Sequence, residues 1–133
     1  MSYRFDANYF LPFPTLPVVI RNPQGGAITP ELRAYADTGA DATIVPARQL
    51  AVLRRETARP ARLRSQWGEV QMGLIYVVDL EVGGHLLPGI EIVVDTRGHE
   101  VLLGRNVLNL LILLLDGPHG LTDILSRRPA RIR

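Results

Sequence analysis

The stretch "YADTGADATIVP", residues 35–46, places two carboxylates, Asp37 and Asp41, around Gly39 in a run that is otherwise apolar or β-branched. A lone acid in such surroundings is costly unless it is paired or hydrogen-bonded, so each needs a reason to be there. Gly39 lets the backbone turn tightly enough to present Asp37 outward from a strand end, and leaves space for another backbone to approach. Thr38 adds a hydroxyl that can tie the loop to a neighbouring backbone, with a β-branch that restricts it to few rotamers. A carboxylate presented in this way can act on water as a general base, but one carboxylate cannot be base and acid in the same step. Two close carboxyls can, because they resist ionising together and share a proton that belongs to the pair. Only one such loop is visible in the chain, so a twofold homodimer is the way to supply the second acid.

The rest of the chain must position that loop. With 133 residues, the chain suits one domain with a core large enough to fold. A composition 47% hydrophobic and 21% charged argues against disorder. Cysteine is absent, which excludes a disulfide framework and Cys-ligated metal sites, and His85, His99 and His119 show no metal spacing. Neither metal nor organic cofactor is expected. All 15 basic residues are arginine and the formal charge is +2. Arg48, Arg54, Arg55, Arg59, Arg62 and Arg64 cluster, as do those of the terminal "SRRPARIR". Solvated surface and a frayed tail account for them, so no nucleic-acid partner is expected. The N-terminus carries charge and prolines where an export signal needs an apolar run. "VLNLLILLL" covers about half of the roughly 20 residues a membrane-crossing helix requires. It reads as a buried strand with its approach, and the expected location is the cytoplasm with no membrane partner.

Prolines 12, 14 and 17 make the first segment extended, and "PVVIRN" reads as a strand closed by the turn "NPQGG". "ELRAYAD" is a half-buried strand that leads into the Asp37 loop. "PARQLAVLRRE" has helical spacing with Pro46 at its start, and Pro60 stops any continuation. "RLRSQWGEVQMGLIYVVDLEV" folds back on itself near Trp67 and Gly68, then meets "LLPGIEIVV" through a tight "GGH" turn. "VLLGRNVLNLLILLLDG" passes through a short helical turn into another strand, and "LTDIL" is the last. Short strands with turns between them and little helix predict an all-β barrel or sandwich.

"ADTGADATIVP" followed some sixty residues later by "VLLGRNVL" resembles the retropepsin-like aspartic proteases, the retroviral-protease superfamily. In that family an Asp-Thr/Ser-Gly-Ala loop, a β-hairpin flap and a Gly-Arg-Asp/Asn segment opening a short helix occur in this order, as they do here. The resemblance implies a closed β-barrel with one short helix, acting as a homodimer on a peptide or protein substrate. Within it, Asp37 is the catalytic residue, and the proton shared between two such aspartates is established behaviour of the class. Thr38 corresponds to the residue whose hydroxyl grips the opposite loop, and Gly39 to one whose carbonyl binds substrate backbone. Asp41 corresponds to an acid that binds peptide main chain and pairs with the arginine of Gly-Arg-Asn, here Arg105. Ala40, Ile44 and Leu102 would line apolar pockets. Ala42 stands where retroviral relatives often carry another acid. Trp67 and Gly68 would belong to a lid over the substrate, and His99 and Glu100 to a loop near the cleft.

Three regions are expected: an extended N-terminal segment (1–14), the protease domain (15–126) and a basic C-terminal tail (127–133). The expected activity is aspartic endopeptidase, by a water held between two Asp37 carboxyls. The competing reading is a non-catalytic peptide-binding or dimerisation module on the same fold.

Overall fold

A computed structural model describes residues 1–26, 28–51, 58–64 and 68–130. Leu16, Val18 and Ile20 alternate with less buried neighbours along strand β2 (Thr15–Arg21), the two-residue period of a strand with one face in a core. The strands that follow are β3 (Leu32–Ala36), β4 (Thr43–Pro46), β5 (Arg59–Arg64), β6 (Val70–Val82), β7 (His85–Asp95) and β8 (Val101–Leu103). Their sheet runs β2-β3-β8-β4-β7-β6-β5, and β2 also pairs with β6. That extra pairing closes six strands into the expected barrel and leaves β5 outside it.

Closure depends on β6 changing partners. Its first half, Val70–Ile75, pairs with β5, and its last residues, Asp79–Val82, pair with β2, while β7 runs along its other side. An irregularity between Val78 and Leu80 marks the exchange, as expected of a bulge that bends a strand. Asp79 fixes it by accepting the Gly89 N–H at 3.1 Å. The expected "GGH" hairpin is present: Gly83 and Gly84 have φ of 53° and 84°, which suits a two-residue turn joining Val82 to His85. The other expected hairpin, β5 to β6, is antiparallel with Arg64 opposite Val70. Pro60, on that outer strand, removes no ladder donor the barrel needs.

Among the described residues the helical reading after Pro46 corresponds to a 3₁₀ turn over Ala47–Leu50. Residues 52–57 lie outside the described residues. Among the described residues the one α-helix is α1 (Arg105–Leu108), which buries Val107 and Leu108. No helix among them is long and apolar enough to cross a membrane.

A second sheet of three antiparallel strands has the order β1-β10-β9, with β1 (Ser2–Arg4), β9 (Ile112–Asp116) and β10 (Leu121–Leu125). The N-terminal segment therefore shares a sheet with the end of the chain. Tyr3, Leu113 and Ile124 pack toward the barrel core. The expectation of a buried "VLNLLILLL" strand is corrected here: Leu110, Ile112, Leu114 and Leu115 are exposed. β9 is an edge strand of the small sheet, and the described residues provide no layer over its outer face.

Residues 5–14 fold back onto β3. Asp6, only 6% exposed, accepts the Tyr35 hydroxyl at 2.5 Å and the Asn8 N–H at 3.0 Å, and lies 3.4 Å from the Arg33 guanidinium. These groups, Tyr35 foremost, hold its carboxyl below the usual aspartate range against the opposing effect of burial. A folded-state pKa below the unfolded one stabilises the fold above the unfolded value, and the effect is lost as pH falls through the folded value. The stability gap between wild type and Asp6→Asn, read from urea midpoints, should narrow from neutral to acid pH. A gap that does not depend on pH would contradict the assignment.

Candidate active site

Along β3 the core takes Leu32, Ala34 and Ala36, which leaves Arg33, Tyr35 and then Asp37 on the outer side. The alternation reaches the aspartate because the ladder does: the Asp37 N–H donates to the Leu103 carbonyl at 3.0 Å. The Asp37 side chain is half-buried, and its Oδ1 accepts the Gly39 N–H at 2.9 Å. Gly39 does not adopt a left-handed conformation. A Cβ there would sit 3.1 Å from Asp37 Oδ1, so in this position glycine keeps room beside the carboxylate.

The loop is held from below by the start of α1. A Cβ on Gly104 would lie 2.3 Å from the Ala42 carbonyl oxygen and 2.5 Å from its carbon. Only glycine permits that approach, and it brings a comb of bonds into register. The Arg105 N–H donates to the Ala40 carbonyl at 2.8 Å, and the Asn106 N–H to the Asp41 carbonyl at 3.3 Å. The Gly104 N–H donates to Thr43 Oγ1 at 3.1 Å, the Thr43 hydroxyl donates to Asn106 Oδ1 at 2.8 Å, and Asn106 Nδ2 donates to the Glu91 carbonyl at 2.9 Å. Thr43 is fully buried, so the two bonds of its hydroxyl satisfy a polar group that would otherwise be unmet.

The expected Asp41–Arg105 ion pair is absent among the described residues. Arg105 Nη1 instead donates to the Thr38 carbonyl at 2.7 Å, while Asp41 is exposed. An exposed ion pair is worth about 0–1 kcal/mol, so a solvated Asp41 loses little by standing apart, and the guanidinium serves the loop backbone directly. The Thr38 hydroxyl, expected to reach an opposite loop, has no hydrogen bond among the described residues.

Beside Asp37 lies an apolar floor. Tyr35 is opposite Leu102 in the parallel β3–β8 ladder, and Leu102 is opposite Ile44 of β4. Directly opposed residues share a face, so the three lie on the side on which Asp37 stands; Tyr35 is buried there beneath Tyr9 and Phe13, and half-buried Leu102 and Ile44 form the floor. Ala40 is half-buried in the loop above. The β5–β6 hairpin reaches the edge of this surface at Ile44: Leu63, Met72 and Leu74 share with Ile44 and Val93 a hollow of about 520 Å³, which contains no residue of the Asp37 loop. Gly68, with φ 81°, begins the return into β6. Trp67 lies outside the described residues. A larger hollow of about 800 Å³, between β1, β2 and β3, contains no residue of the Asp37 loop.

Asp37, Thr38, Gly39, Ala40, Asp41, Ile44, Leu102 and Arg105 thus meet in one region. Sequence reasoning missed Thr43 and Asn106 as supports, although both lie inside the two motifs. It also missed Tyr9, Phe13 and Tyr35, whose rings pack with centroids 5.2–5.4 Å apart beside the floor. No periodicity in "DANYFLPFP" announces that cluster. His99 and Glu100 are exposed just before β8; the His99 carbonyl accepts from Arg48 at 3.3 Å, and Glu100 accepts from the Tyr9 hydroxyl.

A family model described as gag-polyprotein putative aspartyl protease matches residues 29–110, from before β3 to beyond α1. No curated protein matches the chain.

Gly104→Ala should lower unfolding stability by about 1–3 kcal/mol, the usual cost of forcing atoms into a filled site. Unchanged thermal or urea unfolding would contradict the close approach at Ala42.

Proposed function

We propose, for a chain that belongs to the gag-polyprotein aspartyl protease family, that it is an endopeptidase completed by a second copy of itself, with Asp37 as its catalytic acid. The observation that carries this reading is the setting of Asp37. It stands at a strand end, its carboxylate held by the Gly39 N–H, beside an apolar floor of Leu102 and Ile44, the latter also lining a hollow with the β5–β6 hairpin. An extended peptide laid between floor and hairpin would bind through its main chain, with the floor taking apolar side chains.

In the dimer two Asp37 carboxyls face one another and share a proton. The ionised one takes a proton from water as its oxygen attacks the peptide carbonyl, while the protonated one donates to the carbonyl oxygen. The resulting tetrahedral diol collapses as the newly protonated carboxyl gives its proton to the amide nitrogen, a diol hydroxyl returns its proton to the ionised carboxylate and the C–N bond breaks, which restores the singly protonated pair. Both the doubly ionised and the doubly protonated pair lack one of these roles, so the rate falls on either side of a pH optimum.

The small sheet supports association. Ile112 and Leu114 of β9 share a face with Leu125 and Asp123 of β10, and Ile112 and Leu114 are exposed. β9 also presents an unpaired edge. Antiparallel pairing of two β9 strands across a twofold axis would complete that edge and cover the leucines.

Asp37→Asn should lower peptide cleavage by at least about 10²–10⁴-fold, the scale of a lost acid–base group. Wild-type turnover in that variant, followed by peptide mass analysis, would eliminate the mechanism. Leu114→Arg should shift sedimentation from dimer to monomer and abolish cleavage together. A monomer that still cleaves would contradict the shared site, and a dimer that binds peptides without cutting them would favour a binding module.

A further inference from the structure

The floor does not end at Leu102. One step further from Asp37 on the same outer faces stand Arg33 of β3 and Glu100, which precedes β8. Two residues of strand span about 7 Å, so these side chains lie roughly 13 Å along β3 from the carboxylate that the proposed chemistry uses. Arg33, Tyr35, Gln49, His99 and Glu100 line a hollow of about 310 Å³ at this end of the floor.

The two charges here are not equivalent. Arg33 faces Asp6 at 3.4 Å, so its charge has a partner. Glu100 takes part in no ion pair among the described residues, and one of its oxygens accepts the Tyr9 hydroxyl. Tyr9 is itself fixed by packing against Phe13 and Tyr35, with centroids 5.3 and 5.4 Å away. A carboxylate anchored through one oxygen by a packed phenol is pre-organised, with the other oxygen open to a ligand.

We propose that Glu100, oriented by Tyr9, forms a subsite beside the apolar floor that selects a lysine or arginine side chain of the peptide substrate. The proposal rests on the endopeptidase reading. A peptide strand lying over Ile44 and Leu102 brings the side chain of a residue near the cut toward Glu100, two residues before Leu102, and only a long side chain with a terminal cation both spans the apolar stretch and meets the carboxylate. Glu100 is the specificity-determining residue and Tyr9 a positioning residue. Tyr9 lies outside the matched stretch 29–110, so the N-terminal segment contributes a wall of the site rather than preceding it.

The test is a panel of peptides that differ only in carrying arginine, norleucine or glutamate at each position within three residues of the cut. At one position the wild-type ratio of kcat/KM for arginine over norleucine should be about tenfold or more, what a charge-assisted hydrogen bond in a half-open site delivers. Glu100→Gln should bring that ratio near one, Glu100→Arg should turn the preference toward glutamate, and Tyr9→Phe should reduce the ratio part of the way. A wild-type ratio near one at every position, or a preference that survives in Glu100→Gln, overturns the proposal. If the wild type cuts no peptide, the endopeptidase reading fails by itself. The subsite is then judged by calorimetry on the same peptides with Asp37→Asn. An arginine preference of about tenfold in Kd that disappears in Asp37→Asn/Glu100→Gln supports it, and equal or absent affinities overturn it.

Discussion

Everything around Asp37 depends on two backbones touching where Gly104 passes beneath Ala42. The contact is steric before it is attractive, since any side chain at 104 would occupy the Ala42 carbonyl. Once it is made, the donors at the start of α1 face the acceptors of the loop, and the Ala40, Asp41 and Thr38 carbonyls are all taken up. A loop that would otherwise be the mobile link between two strands becomes an extension of the barrel wall. The aspartate inherits that rigidity, which the proposed sharing of a proton with a second copy would require.

The placement of Arg105 shows which force holds the loop. An arginine and an aspartate near one another invite description as a salt bridge, but here the guanidinium binds the Thr38 carbonyl and the carboxylate faces water. Fixing a carbonyl fixes the chain on both sides of it, whereas an ion pair between two long exposed side chains constrains the backbone little. Buried Thr43 does more of the same work: its one hydroxyl links Gly104 and Asn106, and Asn106 passes the link to Glu91 of β7.

The outer surface of the barrel has a consistent polarity. The carboxylate lies at one end, aromatic and aliphatic side chains in the middle, and Arg33 with Glu100 at the other end. The N-terminal residues shape this surface, because Asp6 neutralises Arg33 and Tyr9 constrains Glu100. The small sheet carries the other exposed apolar surface, with Leu114 and Leu115 uncovered in the single chain. A small domain that leaves this much apolar surface exposed gains from a partner.

Much of the fold and of the candidate site was legible in the sequence because it is local. Alternation in "TLPVVIR" gives the strand, the paired glycines at 83 and 84 give the turn, and the two motifs give the loop and the helix that support Asp37. Such features depend on backbone freedom and side-chain period within a few residues. Tertiary structure alone decided three things: the acceptor of Arg105, the exposure of the leucines on β9, and the union of β1 with β10. The first and last depend on which distant segments meet, Arg105 with Thr38 and Ser2 with Asp123, and the second on the place of β9 at the edge of its sheet. An apolar residue reads the same in sequence whether its strand is central or at an edge, and an arginine does not declare whether a carboxylate or a carbonyl will lie within reach. That choice is made by the closure of the barrel, when Gly104 brings Ala42 within contact and leaves the Thr38 carbonyl, not the Asp41 carboxylate, in front of the guanidinium.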